Sequence, residues 1–145
     1  KARNLDANLV VVADHGMASA GPDGQVALSD HPELAECLAL PLSGEARAAM
    51  LHLRPGAADE ARAYAREVLG EAFVVLDAGE ALEAGLWGPG PVHPEARHRI
   101  GDLVLLARGE RTLVEERPQV FRTYGRHGSL TPDEALVPLL AFRLD

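Results

Sequence analysis

Asn8-Leu9-Val10-Val11-Val12-Ala13, running straight into Asp14-His15-Gly16-Met17, decides how this chain is read. β-Branched side chains favour extended backbone over helix. From Leu9 onward the apolarity is continuous rather than alternating. A strand of that kind is covered on both faces, as in a parallel sheet packed between helices. It needs neighbours on either side, and the remaining residues supply few candidates for them. The expectation is therefore an α/β fold, with this chain as one piece of a larger protein.

Working outward, Lys1 to Asn8 reads as the end of a helix and its connection to that strand. After it come a turn at Gly21-Pro22-Asp23-Gly24 and a short strand near Gln25 to Ser29. Pro32 suits a first helical position, so a short helix is expected over Glu33 to Leu40, entered through Asp30 or His31. Ala46 to Leu53 reads as a strand. Ala57 to Leu69 reads as a helix with Ala61, Ala65 and Val68 on one stripe, closed by Gly70. Phe73 to Leu76 is a strand. Asp77 and Glu80 have capping-box spacing for a helix ending at Gly85. Leu86 to Arg99 reads as a Gly- and Pro-rich loop. Asp102 to Ala107 and Thr112 to Glu116 read as a hairpin about Arg108-Gly109-Glu110. The chain closes on a strand, Val137 to Leu144. The first and last segments, 1–42 and 118–145, look like parts of one buried sheet. Residues 43–117, with a β-α-β-α-β-β pattern, look like a small α+β unit inserted between them.

Composition narrows the function. With 14 basic and 22 acidic residues among 145, the formal charge is −8. Nucleic acids and anionic membranes call for a basic patch, so neither is an expected partner. No apolar run reaches the roughly 20 residues of a membrane span. The single cysteine, Cys37, excludes an internal disulfide and any multi-cysteine zinc site. It lies in an apolar helical pattern and reads as buried and inert. No signal-peptide pattern precedes the first strand, which leans the expected location toward the cytoplasm.

Asp14 and His15 stand at the carboxyl end of the apolar strand, where open α/β sheets place their ligand sites. Strand neighbours point to opposite faces, so the two converge on one ion only past the strand end. Gly16 permits that turn. Carboxylate plus imidazole suits Zn²⁺ or Mn²⁺. The plainer alternative is that Asp14 caps a local turn with His15 packed on it. His127-Gly128 repeats the pattern in a second irregular loop, where a structural histidine is again the alternative. His31 reads as a helix-entry residue, His52 as a strand residue on a solvated face, and His93 and His98 as loop or capping residues. Thr131 and Glu134 have capping-box spacing, and Ser129 has no base to make it a nucleophile.

These motifs also carry a resemblance. Val10-Val11-Val12-Ala13-Asp14-His15-Gly16-Met17 and His127-Gly128-Ser129-Leu130-Thr131-Pro132-Asp133-Glu134-Ala135-Leu136-Val137-Pro138-Leu139-Leu140, in that order, resemble the alkaline phosphatase superfamily. They are most similar to its type I phosphodiesterase/nucleotide pyrophosphatase branch. Pro41 to Arg47 and Arg99 to Leu103 resemble bacterial members of that branch. The likeness runs along the chain but covers only the C-terminal part of the family pattern. It implies an alkaline-phosphatase-like sheet sandwiched by helices. It also implies two divalent metal ions, Zn first and Mn second. Asp14 and His15 match the pair that binds the ion carrying the nucleophile, and His127 matches a ligand of the other. The Thr or Ser nucleophile and the remaining ligands are expected upstream of residue 1, which leaves this fragment inactive by itself. The implied substrate is a phosphate ester or nucleotide-like small molecule. The alternatives are another branch, phosphomutase or sulfatase, and a non-catalytic binding or substrate-shaping domain.

Overall fold

The computed structural model describes residues 6–117 and 123–144. Of the helix end and connection expected over Lys1 to Asn8, residues 1–5 lie outside the described residues, as does the boundary at Pro118. In chain order the elements are β1 (Ala7–Val12), β2 (Ala18–Ser19), β3 (Gln25–Ala27), α1 (Pro32–Glu36), β4 (Ser43–Glu45), β5 (Ala48–Leu51), α2 (Ala58–Val68), β6 (Phe73–Asp77), α3 (Ala78–Glu83), α4 (Ala96–Ile100), β7 (Leu103–Ala107), β8 (Thr112–Val114), β9 (Gly125–Arg126), α5 (Pro132–Ala135) and β10 (Leu139–Leu144). Single turns of 3₁₀ helix cover Pro22–Gly24 and Leu28–Asp30. No helix among the described residues is long and apolar enough to cross a membrane.

The core is built on a four-stranded antiparallel sheet in the order β4-β5-β7-β6. Every residue of β7 is buried. Because side chains alternate along a strand, Leu103 and Leu105 join Leu34, Leu51, Ala61 and Phe73 on one face. Val104 and Leu106 join Ala78, Leu82 and Ile100 on the other. Helix α2 covers the first face with Ala61 and Ala65, while its Arg62 reaches Asp77 at the end of β6.

Several expectations need correction. Among the described residues the strand covered on both faces is β7, while β1 lacks here the neighbours that the sequence supplies few candidates for. Strand β1 is exposed along most of its length and, among the described residues, pairs only with β10, antiparallel, from Ala7↔Leu144 to Val12↔Leu139. The first and last strands do share a sheet, but it is an exposed ribbon rather than a buried parallel one. The expected hairpin at 102–116 does not form. Both edges of β7 are taken by β5 and β6, so β8 pairs instead with β3, in parallel. Ala46 and Arg47 interrupt the expected strand as the turn of the β4–β5 hairpin. Asp77 makes no side-chain cap on α3, because its carboxylate is held by Arg62 and Arg66. The expected loop at 86–99 contains most of α4.

Candidate metal centre

Past the end of β1 the chain turns through Asp14, His15 and Gly16 into β2. There Ala18 pairs with Arg126 and Ser19 with Gly125, and the Ala20 N–H donates to the Tyr124 carbonyl at 2.7 Å. That pairing brings the segment before β2 and the segment after β9 together, so that His15, in the turn before β2, lies beside His127, the residue after β9. The result is a direct stack of the two imidazoles, ring centroids 3.6 Å apart and planes 16° from parallel. Two glycines make the approach possible. Gly16 donates its N–H to the Glu134 carbonyl at 2.8 Å, and a Cβ there would run into the Asp133 carbonyl. Gly128 has φ of +116°, and a Cβ on it would lie 2.8 Å from Cβ of Glu45.

Asp14 is open to solvent, its side chain 89% exposed against 33% for His15. The His15 Nδ1 lies 2.7 Å from the Gly16 carbonyl, which can only accept, so Nδ1 carries the proton of the neutral ring. Nε2 then presents a lone pair, 3.7 Å from Oδ2 of Asp14. Two acceptors facing each other at that distance suit a shared cation, and an imidazole whose other nitrogen donates to a carbonyl is the usual form of a histidine ligand. The donor types therefore fit a divalent ion. The geometry gives a pair and a neighbour rather than a closed site. Among the described residues no group of three or more His, Cys, Asp or Glu side chains is arranged to hold a metal ion.

The other candidates are committed elsewhere. His31 Nδ1 meets the Tyr64 hydroxyl at 2.9 Å. His52 is half-buried, its Nε2 3.1 Å from the Ser43 hydroxyl, rather than on a solvated face. His93 Nδ1 accepts the Glu95 N–H at 3.2 Å, and His98 lies in α4. The Ser129 hydroxyl donates to the Ala107 carbonyl at 2.7 Å. Cys37 is buried and donates to the Glu33 carbonyl, and burial, with Glu60 and Glu36 adding to it, pushes its thiol up, away from thiolate. A cleft of about 810 Å³ bounded by α2, α3 and α4 is lined by Arg62, Arg66, Asp77 and Arg97 but not by His15 or His127. Its arginines already have carboxylate partners, Asp77 for the first two and Glu83 for Arg97.

Behind the stacked histidines lies a pair that the sequence did not reveal. Arg47, fully buried, donates from Nε and Nη2 to the two carboxylate oxygens of Glu134 at 2.6 and 2.8 Å. The Thr131 hydroxyl donates to Glu134 as well, and this replaces the expected capping box, since α5 has no side-chain cap. The Ser129 N–H completes the set at 3.0 Å. Burial alone would raise the Glu134 pKa. The hydrogen bonds from Arg47, Thr131 and Ser129 outweigh it and hold the carboxyl below the ordinary range.

A model of the type I phosphodiesterase / nucleotide pyrophosphatase family matches residues 1–130. The chain belongs to that family. A search of curated proteins gives no match. Among solved structures, human ectonucleotide pyrophosphatase/phosphodiesterase 5 superposes with a TM-score of 0.69 at 20% identity, over 94% of this chain and 35% of that one. The murine protein, as an inactive variant in complex with AMP, gives 0.67 at 21% identity over the same shares. Phosphonoacetate hydrolase from Sinorhizobium meliloti, in complex with phosphonoformate, gives 0.66 at 26% identity, over 93% of this chain and 36% of that one. The fold is thus the α/β fold of alkaline-phosphatase-like enzymes, and the chain spans little more than a third of the length of these relatives.

Proposed function

We propose that this chain is the part of a metal-dependent phosphodiesterase or nucleotide pyrophosphatase that supplies Asp14 and His15 to one divalent ion and His127 to the other. Zn²⁺ is the first choice and Mn²⁺ the second. The observation that carries this is the stacking of His15 on His127, which brings two distant motifs into one place. The carbonyl of Gly16 orients His15 and fixes its tautomer, and Asp14 offers an exposed carboxylate beside the free nitrogen. Bound divalent ions in such a site hold a phosphate, acidify an attacking hydroxyl and neutralise a leaving oxygen. The hydroxyls that follow His127 in its loop, Ser129 and Thr131, are engaged by Ala107 and Glu134. The nucleophile is accordingly assigned to residues outside this sequence, and the fragment alone to an inactive state. The substrate class is a phosphate ester or nucleotide-like small molecule. AMP in one neighbouring structure supports that class, and phosphonoformate in another shares only the anionic phosphorus group.

The experiment is Zn²⁺ titration of the chain followed by histidine side-chain NMR, with hydrolysis of bis(p-nitrophenyl) phosphate measured alongside. The expected result is weak binding that perturbs His15 and His127, is lost in His15→Ala, and weakens as acidification protonates the imidazoles. No turnover accompanies it. Zn²⁺ that perturbs only His31, His52, His93 or His98 refutes the assignment. Turnover abolished in His15→Ala refutes the inactive fragment.

A further inference from the structure

Arg47 sits in a two-residue turn, where an arginine ordinarily points to water. Here it is the largest fully buried side chain of the described residues. Four of its N–H groups are used: two on Glu134, one on the Gly109 carbonyl at 2.9 Å and one on the Arg111 carbonyl at 2.8 Å. Its own carbonyl accepts the Ala107 N–H at 2.9 Å, at the end of β7. The guanidinium is thereby fixed in plane and direction by the hairpin β4–β5 and the turn after β7.

Glu134 meets it from the other side and touches both histidine loops. Its main-chain carbonyl takes the N–H of Gly16, next to His15. Its carboxylate takes the N–H of Ser129, two residues after His127. The loop bearing His127 is pressed on the same hairpin through Gly128, against Glu45 and Ala48.

We infer that the Arg47–Glu134 pair is a positioning device, a buried ionic fork that holds the His15 and His127 loops in the mutual register their site requires. Two parallel N–H···O bonds specify an angle as well as a distance. Buried ion pairs add little stability over well-packed apolar residues, so their use is best attested in fixing one arrangement among several. Neither residue touches the rings. The pair acts through Gly16 and Ser129, and its role rests on the proposed ligation by His15 and His127.

The test is histidine side-chain NMR of the metal-free chain, with folding followed by near-ultraviolet circular dichroism. In the wild type the two rings share nuclear Overhauser contacts and upfield ring-current shifts. Arg47→Met/Glu134→Leu removes both charges together, a change cores often tolerate. In that variant, folded, the ring contacts are expected to vanish and Zn²⁺ affinity to fall by about tenfold or more, the usual effect of losing a residue that orients a ligand. Wild-type contacts in the folded double variant overturn the inference, and so does their absence in the wild type. If the double variant does not fold, Arg47→Lys decides, because it keeps the cation and loses the fork. Weakened ring contacts then sustain the inference and unchanged ones overturn it. Zn²⁺ that leaves the wild-type rings unperturbed counts against the metal assignment alone, since the ring contacts are read without metal.

Discussion

Replacing Arg47 with Met, while leaving Glu134 in place, isolates what the buried cation does for stability. Methionine fills most of the volume, so the packing loss is small. The carboxylate keeps its bonds from Thr131 and Ser129 but loses the bidentate partner. The Gly109 and Arg111 carbonyls, which face the buried guanidinium, lose a donor too, and this adds to the cost. The dominant cost is an uncompensated buried charge, about 3–5 kcal/mol. With a denaturant slope of about 2 kcal/mol/M, the urea midpoint falls by about 2 M at neutral pH. The pH dependence gives an independent check. In the wild type the folded pKa of Glu134 is depressed, so its stabilisation is present above the unfolded carboxylate value, about 4.3, and is lost as pH falls through the folded value. Arg47→Met takes away the Arg47 hydrogen bonds and charge and leaves burial, the largest single influence, opposed by Thr131 and Ser129 alone, so the folded pKa is expected to rise above the unfolded one. The sign reverses: stability is greatest below the unfolded value and declines as pH rises toward the folded one. The gap between the two proteins should therefore narrow by about 1 kcal/mol or more between pH 7 and pH 5. Urea melts at both pH values measure it. A midpoint within about 0.3 M of wild type, or a gap that does not change with pH, refutes the reasoning.

Gly128→Ala should cost about 1–3 kcal/mol from its positive φ alone, with more from the approach to Glu45, and should shift the His127 ring signals. Gly21→Ala is the control in thermal melts: its φ is −77° with nothing near a new Cβ, so it should be neutral or stabilising by up to about 1 kcal/mol. Phe73→Ala, at a residue 1% exposed, should lower the unfolding free energy by about 3–5 kcal/mol in urea melts, and a loss under about 1 kcal/mol would mean that the core is not where it is described. The β1–β10 ribbon leaves Val10, Val11, Leu140 and Phe142 about half exposed, so the chain should self-associate with concentration in sedimentation velocity. Leu140→Lys should suppress that association at a stability cost within about 0.5 kcal/mol.

Where the sequence was legible, local patterning and tertiary surroundings agreed. Helix α2 buries Ala61 and Ala65 of its expected stripe, though Val68 is exposed, and it lies within one residue of the expected span at each end, with its stop at Gly70. Strand β6 is one residue longer than read. Where they disagreed, the cause was the neighbourhood. Leu9 to Ala13 and Leu103 to Ala107 are equally apolar runs, yet only the second is enclosed by described residues. Periodicity reports which faces a strand prefers to bury, not which segments arrive to cover them. The false hairpin at 102–116 has the same origin. A turn signal brings β8 to the side of β7, but a strand has two edges, and β5 and β6 had filled both.

The candidate centre divides along the same line. Asp14-His15-Gly16 and His127-Gly128 could be singled out because each carries its chemistry and its turn residue within three positions. That their rings touch depends on the pairing of β2 with β9, two residues each and too short to leave a sequence signal, and on the turn through Gly16. Arg47 and Glu134 were invisible for a further reason. They are 87 residues apart, one in a turn and the other in a four-residue helix where Thr-x-x-Glu resembles a capping box. A capping carboxylate earns about 1 kcal/mol from a backbone amide, whereas a buried guanidinium left without its partner costs several times that. The tertiary demand therefore overrides the local one, and Glu134 turns inward. Glu134 keeps the bond from the Thr131 hydroxyl and meets the buried cation at one place in the fold. That place is the junction of the two histidine loops.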